Sequence, residues 1–236
     1  MINEKVIDEK VIDENVYFKA VIFDMDGTLI DSVNADFLAW QKVFADYDKS
    51  LTFQDYMPLL GMRSFSVVER FFKSENEEEQ KKVLAKKSIY FREIIDDNGI
   101  ELIPFAHDFI KHLKEYNIPL ALATSSRRAK MEMVMEKVGL LSYFDIIATA
   151  EDVANGKPSP DIFLKAASML DIAPEDCIVF EDTVNGIRAA KSASMKCVAL
   201  DSNGTADLLN DADIIIESFK DLDFMELCYQ LQKIPV

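Results

Sequence analysis

Two aspartates separated by a single residue, Asp24 and Asp26, follow an apolar run that ends at Phe23. Carboxylates this close repel each other unless a cation or a shared proton relieves the repulsion. The pair therefore indicates a hard cation such as Mg²⁺, or the roles of nucleophile and acid/base. Gly27 permits a tight turn directly after the pair. Taken alone, the same pattern would suit a turn or a helix cap equally well.

A row of hydroxyls, Thr124, Ser125 and Ser126, ends a second apolar run, and Arg127 follows it. Hydroxyls and free N–H groups at the junction between a strand and a helix form a cradle for anions. The alternative is an ordinary helix cap, a role that suits Ser126.

Lys157 and the acidic pair Glu181 and Asp182 complete the set of candidate residues. Pro158 restricts Lys157 to an extended backbone, which holds its side chain towards a cleft rather than along a helix. A compact ammonium group suits a phosphoryl group or an aspartate nucleophile. The acidic pair follows another apolar run and would supply further oxygen ligands for Mg²⁺. Each motif alone has a structural explanation, but four of them at predicted strand ends favour a shared chemical site.

The elements that must position these residues are short apolar runs, typical of strands buried on both faces. These runs cover residues 19–23, 118–124, 145–150, 176–181, 196–200 and 213–216. Helical patterns alternate with them at residues 107–116, 127–138, 160–170, 183–193, 206–210 and 222–231. This alternation predicts an α/β fold with a doubly wound parallel sheet. Such sheets bind ligands beyond the carboxyl ends of their strands, where the candidate residues lie.

A long segment between the first and second strands interrupts this alternation, because it contains no convincing strand. Helices are predicted there at residues 35–47, 63–73 and 77–97. An all-helical insertion that leaves the ligand-binding end of the sheet would lie over the site as a lid. The predicted organisation is an acidic N-terminal extension at 1–16, a catalytic core formed by 17–33 and 101–236, and a helical cap at 34–100.

The charge balance excludes several classes of partner. With 26 Lys+Arg and 42 Asp+Glu among 236 residues, the formal net charge is −16. Duplex DNA and anionic membranes require clustered basic residues, so neither is an expected partner. No apolar run reaches the ~18–20 residues of a membrane span, and three scattered cysteines suit a reducing compartment. We expect a cytoplasmic monomer whose acidic cleft depends on a bound metal ion.

The four motifs together resemble the signature motifs of the haloacid dehalogenase-like superfamily. As they stand here they are DMDGTLIDS, ATSS, GKPSPD and FEDTVNGIRAA, and the likeness covers residues 19 to about 231. The sequence is most similar to the β-phosphoglucomutase-like phosphatase branch, which has a helical cap. The resemblance implies a Rossmann-like core, Mg²⁺ as cofactor, and phosphoryl transfer through an aspartyl-phosphate.

The resemblance also assigns roles to the candidate residues. Asp24 is the nucleophile that attacks phosphorus, and Asp26 is the general acid/base. Thr124 and Lys157 hold the transferring phosphoryl oxygens, and Lys157 also offsets the charge of Asp24. The wider phosphate-binding set adds neighbouring turn and cradle residues: Gly27, Ser125, Ser126 and Arg127.

The metal site implied by the resemblance uses the strand-end carboxylates. Asp24, Asp182 and the backbone carbonyl of Asp26 bind Mg²⁺, and Glu181 is a ligand directly or through water. Dehalogenases of the superfamily lack an acid/base at the second position of the first motif, so Asp26 argues for phosphate chemistry.

The cap departs from the pattern of the mutases. Asp36 occupies the position at which β-phosphoglucomutases carry a histidine, and this puts mutase activity in doubt. Arg63 and Lys87 match cap positions that face substrate, so both join the predicted substrate-binding set together with Asp36. A solvated helix face is the alternative for Lys87.

Several functions remain open at this point. The leading hypothesis is a Mg²⁺-dependent phosphohydrolase acting on a small phosphorylated metabolite, such as a sugar phosphate. The alternative is a β-phosphoglucomutase that interconverts β-glucose 1-phosphate and glucose 6-phosphate. More remote are a receiver-like phosphorylation switch, which would carry its aspartate on the third strand, and a silent binding module, which would lack an essential group.

Overall fold

Six parallel strands form one sheet at the centre of the protein. The computed structural model describes residues 18–201, 204 and 206–234, so the predicted extension at 1–16 lies outside the described residues. The strands are β1 (Ala20–Phe23), β2 (Leu120–Ala123), β3 (Ile146–Ala148), β4 (Cys177–Glu181), β5 (Lys196–Leu200) and β6 (Ile214–Ile216). Their order is β3-β2-β1-β4-β5-β6, and each neighbouring pair is parallel. The predicted doubly wound parallel sheet is confirmed.

Five α-helices follow one another between β1 and β2, and after β2 the α-helices alternate with the strands except between β5 and β6, where the described residues form only a 3₁₀ turn. They are α1 (Val33–Asp46), α2 (Phe53–Tyr56), α3 (Ser64–Phe71), α4 (Glu77–Asn98), α5 (Ala106–Glu115), α6 (Arg128–Lys137), α7 (Asp161–Leu170), α8 (Val184–Ser192) and α9 (Phe224–Gln232). Among the described residues, no helix combines the length and the apolar composition that crossing a membrane requires.

Both faces of the sheet are buried, but they carry side chains of different size. On one face the large side chains of β1 and β4 pack together, and the rings of Phe23 and Phe180 stack with centroids 5.0 Å apart. Helices α5, α6 and α9 cover this face. On the opposite face the strands present mainly alanine and cysteine against α7 and α8. Small side chains let these helices approach the backbone closely, which supports the loops at the strand ends.

The helices α1 to α4 have a buried cluster of their own, separate from the two clusters on the sheet. Trp40, Phe44 and Phe72 lie at its centre and are almost completely buried. Helix α4 begins where Asn76 accepts a hydrogen bond from the N–H of Glu79 at 2.9 Å, and three glutamates follow in its first turn. Acidic residues are favourable at a helix N-terminus, so the charged start is explained locally. We refer to residues 33–98 as the helical segment.

The observed boundaries differ from the predicted ones in a few places. The short helix α2 was not predicted, and the helix expected at 206–210 is a single 3₁₀ turn over Ala206–Leu208. β3 is shorter than expected because Thr149 and Asp152 cap a 3₁₀ turn that starts at Ala150. The division into a core at 17–33 and 101–236 and a cap at 34–100 stays a prediction.

Candidate active site

The first motif turns sharply after β1 and brings its two aspartates to the carboxyl end of the sheet. The N–H of Asp24 donates to the carbonyl of Phe180 at 3.0 Å, so Asp24 still continues the strand ladder. The chain then reverses at Gly27, whose φ of 90° lies in the left-handed region. A Cβ at this position would stand 2.0 Å from Oδ2 of Asp182. Only glycine therefore allows both the turn and the close approach.

Asp24, Lys157 and Glu181 form a buried group that we call the Lys157 cluster. Nζ of Lys157 lies 2.5 Å from Oδ1 of Asp24 and 2.6 Å from Oε1 of Glu181, over the ring of Phe163. The lysine side chain is fully buried. Burial lowers the pKa of an ammonium group, but the two carboxylates outweigh it and raise the pKa of Lys157. The cluster therefore holds a permanent positive charge beside Asp24.

Glu181 supports this cluster and does not face open space. Its Oε2 accepts from the N–H groups of Asp182 and Thr183, both at 2.8 Å, and from the Thr183 hydroxyl at 2.9 Å. Its Oε1 is held by Lys157, and the residue has no exposed surface. Both oxygens of Glu181 thus already bind neighbouring groups, and its role as a metal ligand, directly or through water, stays a prediction.

Asp24 and Asp182 are the two carboxylates that could hold a cation. The Thr28 hydroxyl donates to Oδ1 of Asp182 at 2.9 Å. Burial raises the pKa of Asp24 to about 7 against the opposing effect of Lys157, and burial together with Glu181 raises the pKa of Asp182 well above its usual range. A divalent cation beside these groups would favour their ionised forms.

The donor set fits a metal that keeps much of its water. Within the described residues, no three His, Cys, Asp or Glu side chains converge into a metal site of their own. A cation would therefore combine Asp24 and Asp182 with a backbone carbonyl, water and a substrate oxygen. Mg²⁺ usually binds proteins in this manner, through one or two carboxylates and a phosphate.

Asp26, Lys130 and Asp36 form a second group of charges, which we call the Lys130 cluster. Nζ of Lys130 lies 2.8 Å from Oδ1 of Asp26 and 3.1 Å from Oδ1 of Asp36. Asp26 also accepts from the hydroxyls of Ser32, at 2.5 Å, and Ser126, at 2.6 Å. Burial would raise the pKa of Asp26, but Lys130 outweighs it and lowers the pKa.

Asp36 is held from the helical segment as well as from α6. The Tyr56 hydroxyl donates to its Oδ2 at 2.8 Å, and Lys87 makes a short ion pair with its Oδ1. Burial would raise the pKa of Asp36, but Lys130 and Lys87 hold it well below its usual range. Asp36 is therefore a charged anchor for two lysines.

Three predicted substrate-binding residues point elsewhere. Arg127 has 72% of its side chain exposed and bonds Glu151 at 3.0 Å, so it does not extend the anion cradle. Arg63 donates to the backbone carbonyls of Val153 and Ala154, at 2.8 and 3.0 Å. Lys87 is buried against Asp36 and is not on a solvated face. In each case the positively charged side chain binds an acceptor that is close in the fold but distant in the sequence.

Core side chains clamp the loop that precedes α3 onto the strand ends. Asn185 donates to the carbonyls of Pro58 and Leu60, at 3.2 and 2.8 Å, and the Ser125 hydroxyl donates to the carbonyl of Gly61 at 2.7 Å. Together with Arg63, these bonds fasten the helical segment to the loops at the carboxyl ends of the strands. Ser125 thus docks this loop.

A small cavity of about 60 Å³ lies between the two clusters and beneath the clamped loop. Its mostly polar lining suits water or a small polar group. The polar side chains that line the cavity are Asp24, Asp26, Ser32, Asp36, Tyr56, Ser64, Thr124, Ser125, Ser126, Lys130 and Thr183.

Lys130, Ser32 and Tyr56 were missed by the sequence reasoning. Ser32 ends the first motif and could have been found there. Lys130 lies in the first turn of a helix among the charged residues Arg127 and Arg128, a pattern that a solvent-exposed face shares. Only the packing of α4 against α6 reveals that Lys130 is enclosed.

A sequence model of one protein family, described as haloacid dehalogenase-like hydrolase, matches residues 21–200. The chain belongs to this family. It is 33% identical over 219 residues to the β-phosphoglucomutase of Bacillus subtilis (strain 168), covering 90% of this chain and 94% of that protein. It is 32% identical over 205 residues to the phosphorylated carbohydrates phosphatase of Thermotoga maritima, covering 85% and 91%.

The solved structures agree with this family. A β-phosphoglucomutase from Clostridium difficile matches this haloacid dehalogenase-like hydrolase with a TM-score of 0.83 and 28% identity, over 92% of this chain and 98% of that chain. The resemblance to β-phosphoglucomutase-like phosphatases is thereby confirmed, and the protein is an enzyme of this type. The family implies a divalent metal ion, which Asp24 and Asp182 suit.

Proposed function

We propose that this protein is a Mg²⁺-dependent phosphohydrolase of small phosphorylated carbohydrates that works through an aspartyl-phosphate on Asp24. The observation that carries the proposal is the pair of carboxylates on one cavity. Asp24 is bonded to the buried ammonium group of Lys157. Asp26 lines the same cavity but is bonded to other groups, among them the Ser126 hydroxyl. Two carboxylates in two environments can take the separate roles of nucleophile and acid/base.

In the first step a carboxylate oxygen of Asp24 attacks phosphorus, and the bond between phosphorus and the substrate oxygen breaks. Asp26 must take up a proton beforehand, because Lys130 lowers its pKa, and it gives that proton to the leaving oxygen, which departs as an alcohol. Lys157 holds Asp24 for the attack, and the hydroxyl of Thr124 lies on the cavity where the phosphoryl oxygens would sit. A bound Mg²⁺, held by Asp24, Asp182 and the backbone carbonyl of Asp26, would neutralise charge on the phosphoryl group.

In the second step Asp26 takes a proton from water, and the water oxygen attacks phosphorus. The bond from phosphorus to Asp24 breaks, which releases inorganic phosphate and restores the carboxylate. Asp26 is the group for this proton because Ser32, Ser126 and Lys130 fix its orientation towards the cavity.

The substrate class is supported by the relatives and by the size of the cavity. The Thermotoga relative is a phosphatase of phosphorylated carbohydrates. The cavity of about 60 Å³ beside Asp24 and Asp26 suits a small substrate, which the helical segment would admit by moving. A further proposal is that the protein acts as a cytoplasmic monomer.

β-Phosphoglucomutase activity is the second candidate, because the relative from Bacillus subtilis is a β-phosphoglucomutase. The two activities differ in what accepts the phosphoryl group from Asp24. β-Glucose 1-phosphate supplied with a trace of the 1,6-bisphosphate separates them. Release of inorganic phosphate alone supports the phosphatase, whereas formation of glucose 6-phosphate supports the mutase.

The proposed function is tested with p-nitrophenyl phosphate and a panel of sugar phosphates. We expect turnover with Mg²⁺, none after EDTA treatment, and recovery when Mg²⁺ is added back. Asp24→Asn should abolish turnover, while the matched control Asp31→Asn, at an exposed aspartate of the same loop, should retain it. Turnover by the Asp24→Asn protein would refute the nucleophile.

A further inference from the structure

A second cavity, outside the candidate active site, lies between the helical segment and the start of α8. Its volume is about 300 Å³, within the range of about 300–1,000 Å³ that is typical of small-molecule sites. Leu60 and Thr183 line both this cavity and the smaller one, so they form the wall between the two. A Cβ on Gly61 would stand 2.3 Å from Oγ1 of Thr183, so the wall is tightly packed. Asp24 and Asp26 line the smaller cavity and not this one.

The lining of this second cavity is mainly apolar and comes from both parts of the protein. The helical segment contributes Phe53, Met57 and Pro58, and the core contributes Val184, Leu208 and Leu209. Two of these side chains are large and still open to water, since Phe53 is 43% and Leu208 is 56% exposed. An apolar ligand that covered them would gain free energy in proportion to the area removed from water.

Arg188 is the cationic side chain of the lining. It lies on α8, and 60% of its side chain is exposed. Its Nε lies 3.7 Å from Oδ2 of Asp211, which is longer than a hydrogen bond, and Asp211 is itself exposed. Exposed pairs of this kind contribute little to stability. A guanidinium group binds a carboxylate through paired N–H donors, so an anionic ligand can replace Asp211 at little cost.

Two further polar side chains of the lining, Asn185 and Asp182, set the orientation of such a ligand. The side-chain amide of Asn185 already donates to two backbone carbonyls of the loop before α3. Asp182 is buried and accepts from the Thr28 hydroxyl, so its carboxylate lies at the inner end of the cavity. A second carboxylate would be repelled there and attracted by Arg188 at the open end. The ligand would therefore lie with its apolar body inside and its anionic group at the mouth.

We propose that this cavity, which we call the Arg188 pocket, binds a small organic anion that combines an apolar ring with one carboxylate. The site is separate from that of the phosphorylated substrate. The inference goes beyond the proposed function, because it concerns binding and requires no chemical step. The bound ring contacts Met57 of the helical segment and Val184 of α8 at once, so the ligand stabilises the folded protein according to its occupancy.

The test titrates the full chain with indole-3-acetate and follows the methyl groups by NMR, with indole-3-acetamide as the uncharged analogue. We expect one site per chain with a Kd of about 1 mM, as the usual ligand efficiency of small molecules predicts. The signals of Met57, Val184 and Leu208 should shift. The amide should bind about tenfold more weakly, because it lacks the charge-assisted hydrogen bond. The same shifts and the same Kd should be found in the presence of Mg²⁺ and inorganic phosphate.

Two variants separate the charged part of the Arg188 pocket from its apolar part. Arg188→Gln should weaken indole-3-acetate about tenfold and leave the amide within about twofold, because only the anion uses the guanidinium group. Leu208→Ser should weaken both probes, because both use the apolar lining. The matched controls are Lys165→Gln and Leu164→Ser, at exposed positions of α7 outside the pocket. Neither control should change either Kd by more than about twofold.

Several results would overturn the inference. These are the absence of saturable shifts in the wild-type protein, equal affinity for the acid and the amide, an unchanged Kd in Arg188→Gln, and displacement of the probe by inorganic phosphate. A dimer in sedimentation that Leu208→Ser dissociates would assign the apolar lining to a second copy of this chain instead. Failure of the proposed function leaves these measurements unaffected, because none of them depends on turnover.

Discussion

The Lys157 and Lys130 clusters are built alike, since each places one buried lysine between two carboxylates. They differ in where the carboxylates come from. Both partners of Lys157 lie at the ends of β1 and β4, which are paired in the sheet. Lys130 instead binds Asp26 of the core and Asp36 of the helical segment.

This difference separates a part of the site that the sheet alone places from a part that the helical segment also contacts. The N–H of Asp24, the proposed nucleophile, belongs to the backbone ladder of the sheet. Asp26, the proposed acid/base group, shares its lysine with Asp36 of the helical segment. Four substitutions break or sharpen this contrast.

Lys157→Met should have the largest effect, because it leaves Asp24 and Glu181 buried without a counter-charge. Breaking a buried ion pair costs about 3–5 kcal/mol of unfolding free energy. Loss of a preorganised charge at the reacting group should lower kcat by about 10³-fold. Denaturant unfolding and steady-state kinetics measure the two effects. A loss of kcat below about tenfold would contradict the role of Lys157 beside the reacting carboxylate.

Gly186→Ala should displace Glu181 of the Lys157 cluster, because Gly186 of α8 packs directly against that side chain. In an ordinary helix interior this change stabilises by about 1 kcal/mol. Here the new Cβ would lie 1.7 Å from Oε1 of Glu181. Lys157 holds that oxygen, and the Thr183 hydroxyl holds Oε2 of the same carboxylate. We expect a cost of about 2 kcal/mol, typical of overpacking.

Chemical denaturation of Gly186→Ala would show this cost, with Arg188→Ala as a control on the same helix. The Arg188 side chain is exposed, so its removal should change the unfolding free energy by less than about 0.5 kcal/mol. A more stable Gly186→Ala protein would mean that Glu181 can move aside.

Asp36→Asn should reveal the charge of the Lys130 cluster through its dependence on pH. A carboxyl whose pKa is lower in the folded protein than its unfolded value of about 3.9 adds stability above that pH and loses it on acidification. We expect the wild-type protein to be more stable than Asp36→Asn by about 1–2 kcal/mol at neutral pH.

That difference should be constant above about pH 5 and shrink from about pH 4 downwards, because the unfolded carboxyl then takes up a proton. Urea unfolding at a series of pH values measures it. A difference that stays constant down to pH 3 would show that the pKa of Asp36 is the same in the folded and the unfolded protein, and hence that its lysine partners do not stabilise its charge.

Arg127→Ala should have the smallest effect. Its exposed pair with Glu151 is worth about 0–1 kcal/mol, and the side chain does not line the cavity. Both kcat and KM should stay within about twofold, in line with an exposed site. An increase of KM beyond fivefold would restore the role in phosphate binding that the sequence suggests.

The sheet and the Lys157 cluster could be predicted from the sequence because local patterns encode them. Apolar runs mark the strands, and Lys157 lies in a loop whose prolines restrict it. The Lys130 cluster has no such pattern. Lys130 and Arg127 occupy the same charged helix start, and only packing decides that one is enclosed and the other exposed.

Glu181 and Arg63 are two further residues whose contacts the sequence does not reveal. Their positions in the sequence predict a place at the site, but the sequence does not show which acceptor or donor binds them. Backbone groups do so in both cases: the N–H groups of Asp182 and Thr183 for Glu181, and two carbonyls for Arg63. Backbone positions depend on the assembled fold, so these contacts lie beyond sequence reasoning.

The clamps on the loop before α3 have a consequence for protein engineering. Asn185 and Ser125 donate hydrogen bonds to main-chain oxygens, which every residue type supplies. The loop also lines the cavity with Leu59, Leu60 and Met62, whose side chains make none of these hydrogen bonds. Libraries at these three positions can therefore change the cavity wall that would face a substrate while the main-chain hydrogen bonds remain.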